Sequence, residues 1–187
     1  SDLQQENPGE IIDAIAEVAE SADTVGPNRS VRAGILRLVR QQQFEIAVGE
    51  AVANRGITDE LMQEIEAARN AIYDEYVDDA GRDADGRWNR VDLIYNTLLS
   101  DRAKFEGDTL MVQETARRAS RAAKLALQSG QTLDARALDA AISAAKTLGD
   151  FGSAVQLFNR ALQLDPALAG NLGLQIQYIE LLVDAGR

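Results

Sequence analysis

The chain of 187 residues has no cysteine and no histidine, only three prolines, and 5% aromatic residues. Each shortage excludes something. Without thiol or imidazole there is no thiolate nucleophile, no Ser-His triad, no zinc finger, and no haem held by those ligands. Little proline and few aromatics beside 30 alanines favour thin, closely packed helices over strands. No run of 18 apolar residues occurs, so no segment reads as a membrane-crossing helix. The glycine-rich phosphate loops GxxxxGK[ST] and GxGxxG are absent as well. Carboxylates remain for acid-base work and oxygen ligands for a hard cation. No carboxylate pair stands out, and the chain reads as non-catalytic.

What is present is acid, unevenly placed. The formal net charge is -11. Residues 1–112 hold 23 acids and 11 bases, whereas residues 113–187 hold 7 acids and 8 bases. The densest stretch, 57–85, sets ten acids against Arg69 and Arg82. This balance opposes nucleic-acid binding, which needs a positive footprint, and opposes docking on anionic lipid.

The apolar spacing is helical throughout. Asn7 caps a first helix with Pro8 at its first position and Ile11, Ile15, Val18 and Ala22 along it. Val25-Gly26-Pro27-Asn28 breaks the chain. A second helix from about Ser30 is expected to turn Val31, Ile35, Leu38 and Val39 inward, and a third to run from Phe44 to Gly56. Thr58 caps a fourth, with Leu61, Ile65, Ala68, Ile72 and Tyr76 as its apolar stripe. A polar insert, 78–91, precedes a fifth helix bearing Leu93, Ile94, Leu98 and Leu99. Gly107-Asp108 starts a sixth over Thr109–Ser129, and three more cover about 134–148, 151–164 and 168–184. The expectation is an all-α chain of about nine helices, with an acidic N-terminal region over 1–107 and a second region over 108–187.

Residues 135–168 carry the clearest pattern. Leu148-Gly149-Asp150-Phe151 makes a turn, Ala154, Phe158 and Ala161 alternate small, large and small, and Pro166 ends the unit. This resembles a tetratricopeptide repeat, a 34-residue helix-turn-helix unit. Leu138, Ala141, Ile142 and Ala145 depart from that family's first helix toward thinner packing. Ala169 to Arg187 is similar to the first helix and turn of a further unit cut at its turn, so the chain is expected to continue past Arg187. The resemblance covers about 135–187; upstream only Gln43–Val48 echoes Asp150–Val155.

The resemblance implies helix pairs stacked as a right-handed solenoid, with the first helices lining a groove for a protein or peptide. The matching positions are Arg136, Asp139, Ser143 and Lys146, followed by Asn171, Gln175 and Tyr178. By that analogy the chain is an interaction scaffold, a piece of a larger bacterial assembly or export protein of the cytoplasm or periplasm. The same residues also suit an ordinary solvated helix face. An acidic chaperone-like domain for a basic partner is a further alternative. Arg117, Arg118, Arg121 and Lys124 form a basic run that either is solvated or meets the acidic helix after Thr58, within the chain or between copies. The sequence names neither partner nor oligomeric state.

Gly81 to Asp92 is twelve residues long and resembles an EF-hand loop of the dockerin kind. Asp83 and Asp85 match the third and fifth positions, Gly86 the sharp turn, Arg87 a carbonyl ligand, Asn89 the water-bridged ninth and Asp92 the twelfth. Calcium is the one cofactor this resemblance implies. Gly81 stands where the first Asp belongs, and Asp78 and Asp79 are spaced wrongly to replace it. The alternative is a polar turn with Trp88 packed inward.

Overall fold

A computed structural model describes residues 8–21, 28–53, 57–77, 83 and 87–186. The chain is all-α. Its helices are α1 (Pro8–Ser21), α2 (Asn28–Ala53), α3 (Asp59–Tyr76), α4 (Arg87–Glu106), α5 (Thr109–Gln128), α6 (Ala135–Thr147), α7 (Phe151–Leu164) and α8 (Leu172–Asp184), with a 3-10 turn at Pro166–Gly170. No β-strand occurs among the described residues, and none of their helices is long and apolar enough to cross a membrane. There are eight α-helices among the described residues where about nine were expected, because the second and third are one helix. Gln41, Gln42 and Gln43 are good helix formers with no cap or breaker among them, so nothing stops α2 before Phe44. The cap at Asn7, the break at 25–27 and the stop at Gly56 lie outside the described residues.

The chain forms two compact units, Ser1–Val77 and Asp78–Arg187. Compactness therefore divides it before α4, whereas the charge shifts later, within the second unit.

In the first unit α1 packs on α2 and α2 on α3. The pairing of α1 with α2 is antiparallel: Arg32 Nε donates to the Ala19 carbonyl at 2.6 Å, while Gln43 Nε2 donates to Asp13 Oδ1 at 2.6 Å. Leu36 and Val39 are buried, but Val31 is 60% and Leu38 62% exposed. Of the expected inward set, Val39 is buried, whereas Val31, Ile35 and Leu38 are exposed. The helix is apolar on two sides, and the buried line follows Leu36 and Val39 into Phe44, Ala47, Val48 and Ala51. From α3 come Leu61, Met62, Ile65 and Ile72, all buried. Thr58 caps α3, its Oγ1 accepting from the Leu61 amide at 3.2 Å, and Asp59 and Glu60 suit the positive end of the helix dipole. Arg37 lies 5.3 Å over the Tyr76 ring.

The second unit is punctuated by one device used repeatedly. Asp108, Asp134, Asp150 and Asn171 each cap a helix by accepting from a backbone amide three residues on, at 2.8 to 3.1 Å. Gly107, Gly130, Gly149 and Gly186 take φ of 69 to 80° at helix ends, a left-handed conformation that costs glycine least. Each cap contributes about 1 kcal/mol. Between these stops, α4 packs most extensively on α5, then α5 on α6 and α6 on α7, with α8 on α7. Alternate helices also touch, α4 with α6 and α5 with α7. The core is thin: Ala116, Ala119, Ala123 and Ala126 of α5 meet Ala137, Ala141 and Ala145 of α6, with Leu127, Leu138, Ile142 and Phe158 filling the gaps. Small side chains at the contact allow close interaxial approach.

Candidate functional site

On α6, Arg136, Asp139, Ser143 and Lys146 share one side at steps of three, four and three. Arg136 and Asp139 are exposed, Ser143 and Lys146 half-buried. Two of them are tied to α8. Gln177 Nε2 donates to Asp139 Oδ1, and Lys146 Nζ stands 3.8 Å from Glu180 Oε2. Gln177 and Glu180, one turn apart, thus face α6 across the polar surface.

The α8 residues expected to line that surface do other work. Asn171 is the helix cap, accepting from the Leu174 amide at 3.1 Å. Gln175 donates back to the Ala169 carbonyl. Tyr178 stacks on Phe158 at 4.5 Å and donates its hydroxyl to Asn159 Oδ1 at 3.1 Å, so it joins α8 to α7. Sequence spacing missed Gln177 and Glu180 because α8 is apolar on two sides, which leaves its polar face ambiguous. Leu174 and Leu181 are buried, while Leu172, Ile176, Ile179 and Val183 form an exposed stripe.

Near the start of α4, Asp83 Oδ2 accepts from both the backbone amide and the side-chain amide of Asn89, at 2.9 and 2.8 Å. It thereby satisfies an otherwise unpaired amide of the first turn. Asp83 Oδ1 is buried with no hydrogen-bond partner among the described residues. Arg87, Asn89 and Asp92 are helical residues of α4. Asp92 Oδ1 accepts from Asn96 Nδ2 at 3.1 Å, one turn further along the helix. The structure therefore joins Asp83 with Asn89 and engages Asp92 elsewhere. Asp85, with Gly81, Gly86, Asp78 and Asp79, lies outside the described residues. Trp88 is half-buried. Among the described residues no group of three or more acidic side chains is placed to hold a metal ion.

The basic run of α5 is divided. Arg118 pairs with Glu114 one turn back, and Lys124 Nζ reaches Ser153 Oγ at 3.1 Å and Asp150 Oδ2 at 3.9 Å. Arg117 and Arg121 are exposed and make no ion pair among the described residues. Lys124 borders a cavity of about 260 Å³ between α5 and α7, shared with Ser153, Gln156 and Arg160 over Leu127 and Leu157. In the first unit a wider cleft of about 440 Å³ lies among α1, α2 and α3. Asp13 and Gln43 bond to each other across it, Arg40 donates to Gln43 Oε1 at 3.0 Å, and Arg40 also pairs with Glu20.

Two cap carboxyls carry perturbed acidity. Burial works against the charge of Asp134, but the Ala137 amide and the paired Arg90 hold its carboxyl below the usual carboxylate range. The side chain and amide of Ser153, with Lys124, do the same for Asp150.

Comparison with protein-family models, with curated proteins and with solved structures finds no match to this chain.

Proposed function

We propose that the chain is a non-catalytic scaffold that binds a protein or peptide on the polar face of α6 and α8. Its second unit is read as a right-handed tetratricopeptide-like stack in which α4–α5 and α6–α7 are successive pairs and α8 opens another. The observation that carries this reading is the pair of links Asp139–Gln177 and Lys146–Glu180. They link side chains of α6 and α8 across the polar face on which Arg136 and Ser143 also lie. Packing of each helix on the next, and of α4 on α6 and α5 on α7, suits such a stack. The surface is mixed in charge and rich in donors and acceptors, which fits hydrogen bonding to a peptide. Selection from a displayed random-peptide library tests it, followed by fluorescence anisotropy with Arg136→Ala and Lys146→Glu proteins of unchanged helical content. Binders that these substitutions weaken about tenfold or more support the reading. An exhausted library, or binders indifferent to both substitutions, ends it.

A second reading, a calcium-binding helical module, draws on Asp83 Oδ1, a buried acceptor with no donor among the described residues. A cation is one way to satisfy such an oxygen. Calorimetric titration of calcium into chelator-treated protein decides it, with Asp83→Ala as control. Absence of heat, or heat unaltered by the substitution, removes the idea.

A further inference from the structure

The α5–α7 face departs in charge from the rest of the chain. Against a net charge of -11, α5 and α7 together carry five bases (Arg117, Arg118, Arg121, Lys124 and Arg160) and one acid, Glu114. Glu114 is already engaged by Arg118. Arg117, Arg121 and Lys124 follow at steps of four and three, so they share one side of α5. Arg160 of α7 lines the same cavity as Lys124, and its partner among the described residues is the neutral Gln163 Oε1 at 3.3 Å. Asp150 stands at one end, 3.9 Å from Lys124, and as the α7 cap its carboxylate is also used by the Ser153 amide. The cavity floor, Leu127 and Leu157, is apolar, and its walls include the neutral donors Ser153 and Gln156.

We infer that this groove is a second binding face, and that it takes an acidic peptide segment of a partner protein. The segment's carboxylates meet Lys124 and Arg160 in the groove and Arg121 beyond its lining, one turn before Lys124 on the same side of α5, and one of its small apolar side chains rests on Leu127 and Leu157. Charge complementarity selects the occupant. The groove offers no aromatic ring on which a base would stack, which disfavours nucleic acid. This face lies on α5 and α7, apart from the α6–α8 surface, so the two readings stand or fall separately.

The test is fluorescence anisotropy of the full chain with a labelled glutamate-rich peptide carrying one leucine. Its isosteric glutamine counterpart and a single-stranded DNA of similar length serve as competitors. The glutamate peptide is expected to bind, to weaken as salt is raised, and to lose about tenfold or more in affinity with Arg121→Glu or Arg160→Glu. Arg160→Gln, a milder change that keeps the stem, should lose less. Arg102→Glu on α4 makes the same change in net charge and should leave affinity intact. The inference is overturned if the glutamine peptide binds as well, if Arg102→Glu weakens binding equally, if DNA binds more tightly than the glutamate peptide, or if nothing binds. Unchanged helical circular dichroism keeps each variant interpretable.

Discussion

Phe158 and Tyr178 stack with centroids 4.5 Å apart and planes inclined by 18°, and this contact fastens the last helix to the second unit. Phe158 is buried, with Leu138 and Ile142 beside it in the same core. Phe158→Ala is therefore expected to cost about 3–5 kcal/mol, measured by urea unfolding. Tyr178→Phe keeps the stack and gives up only the bond to Asn159, so its cost should stay near 1 kcal/mol. A Tyr178→Phe loss as large as that of Phe158→Ala would show that the hydroxyl, not the ring, carries the contact.

Isoleucine occurs on α6 and α8 in opposite settings. Ile142 is 2% exposed and Ile179 62%. The same change, Ile→Ser, should cost several kcal/mol at Ile142 and stay within about 0.5 kcal/mol at Ile179. Thermal melts of the two variants make the comparison. A matching loss at Ile179 would mean that something covers the exposed stripe in solution.

The all-α class and the helix limits from residue 108 to 164 were legible because they are written locally, whereas the last helix, expected from 168, starts at Leu172 because Pro166–Gly170 forms a 3-10 turn. Asp108, Asp134 and Asp150 are caps, and Gly130 and Gly149 are stops, each acting within a few residues. What was not legible depends on which of two faces meets a neighbour. The α2 helix is apolar at Val31, Ile35 and Leu38 and again at Leu36 and Val39, and only packing with α1 and α3 selects the second line. Likewise α8 places Tyr178 toward α7 and Gln177 toward α6, a choice that helical spacing alone leaves open. Alanine adds to the ambiguity, since it suits a buried or an exposed position equally.

Acid should loosen the second unit first at its caps. Asp134 and Asp150 have folded carboxyl acidities lowered from the ordinary value. A depressed folded pKa means that the charged form stabilises the fold above the unfolded pKa, near 3.9. That stability is lost as pH falls from there through the folded value. Urea midpoints are expected to be flat at neutral pH and to drop in this acid window. Asp134→Asn should lower the neutral midpoint and flatten the acid limb. A midpoint that falls equally in wild type and in the Asp134→Asn, Asp150→Asn double variant would assign the acid sensitivity to other carboxyls.

Asp83 separates a structural role from a metal role at one side chain. Its Oδ2 already serves the Asn89 amide and side chain, so Asp83→Ala should destabilise the start of α4 with no metal present. The expected cost is about 1 kcal/mol, that of a lost helix cap. Asp83→Asn retains an acceptor oxygen for the Asn89 amide and removes the charge a cation needs. If Asp83 only caps α4, Asp83→Asn should restore most of the stability, and calcium should shift neither variant nor wild type. If it also ligates calcium, the wild type alone should gain stability with added calcium, in proportion to RT ln(1 + [Ca]/Kd). Urea unfolding of the three proteins, with chelator and with calcium, distinguishes the cases. A wild type that ignores calcium while Asp83→Asn matches it would leave Asp83 as a cap alone. Its unpaired Oδ1 would then be a cost borne by the start of α4.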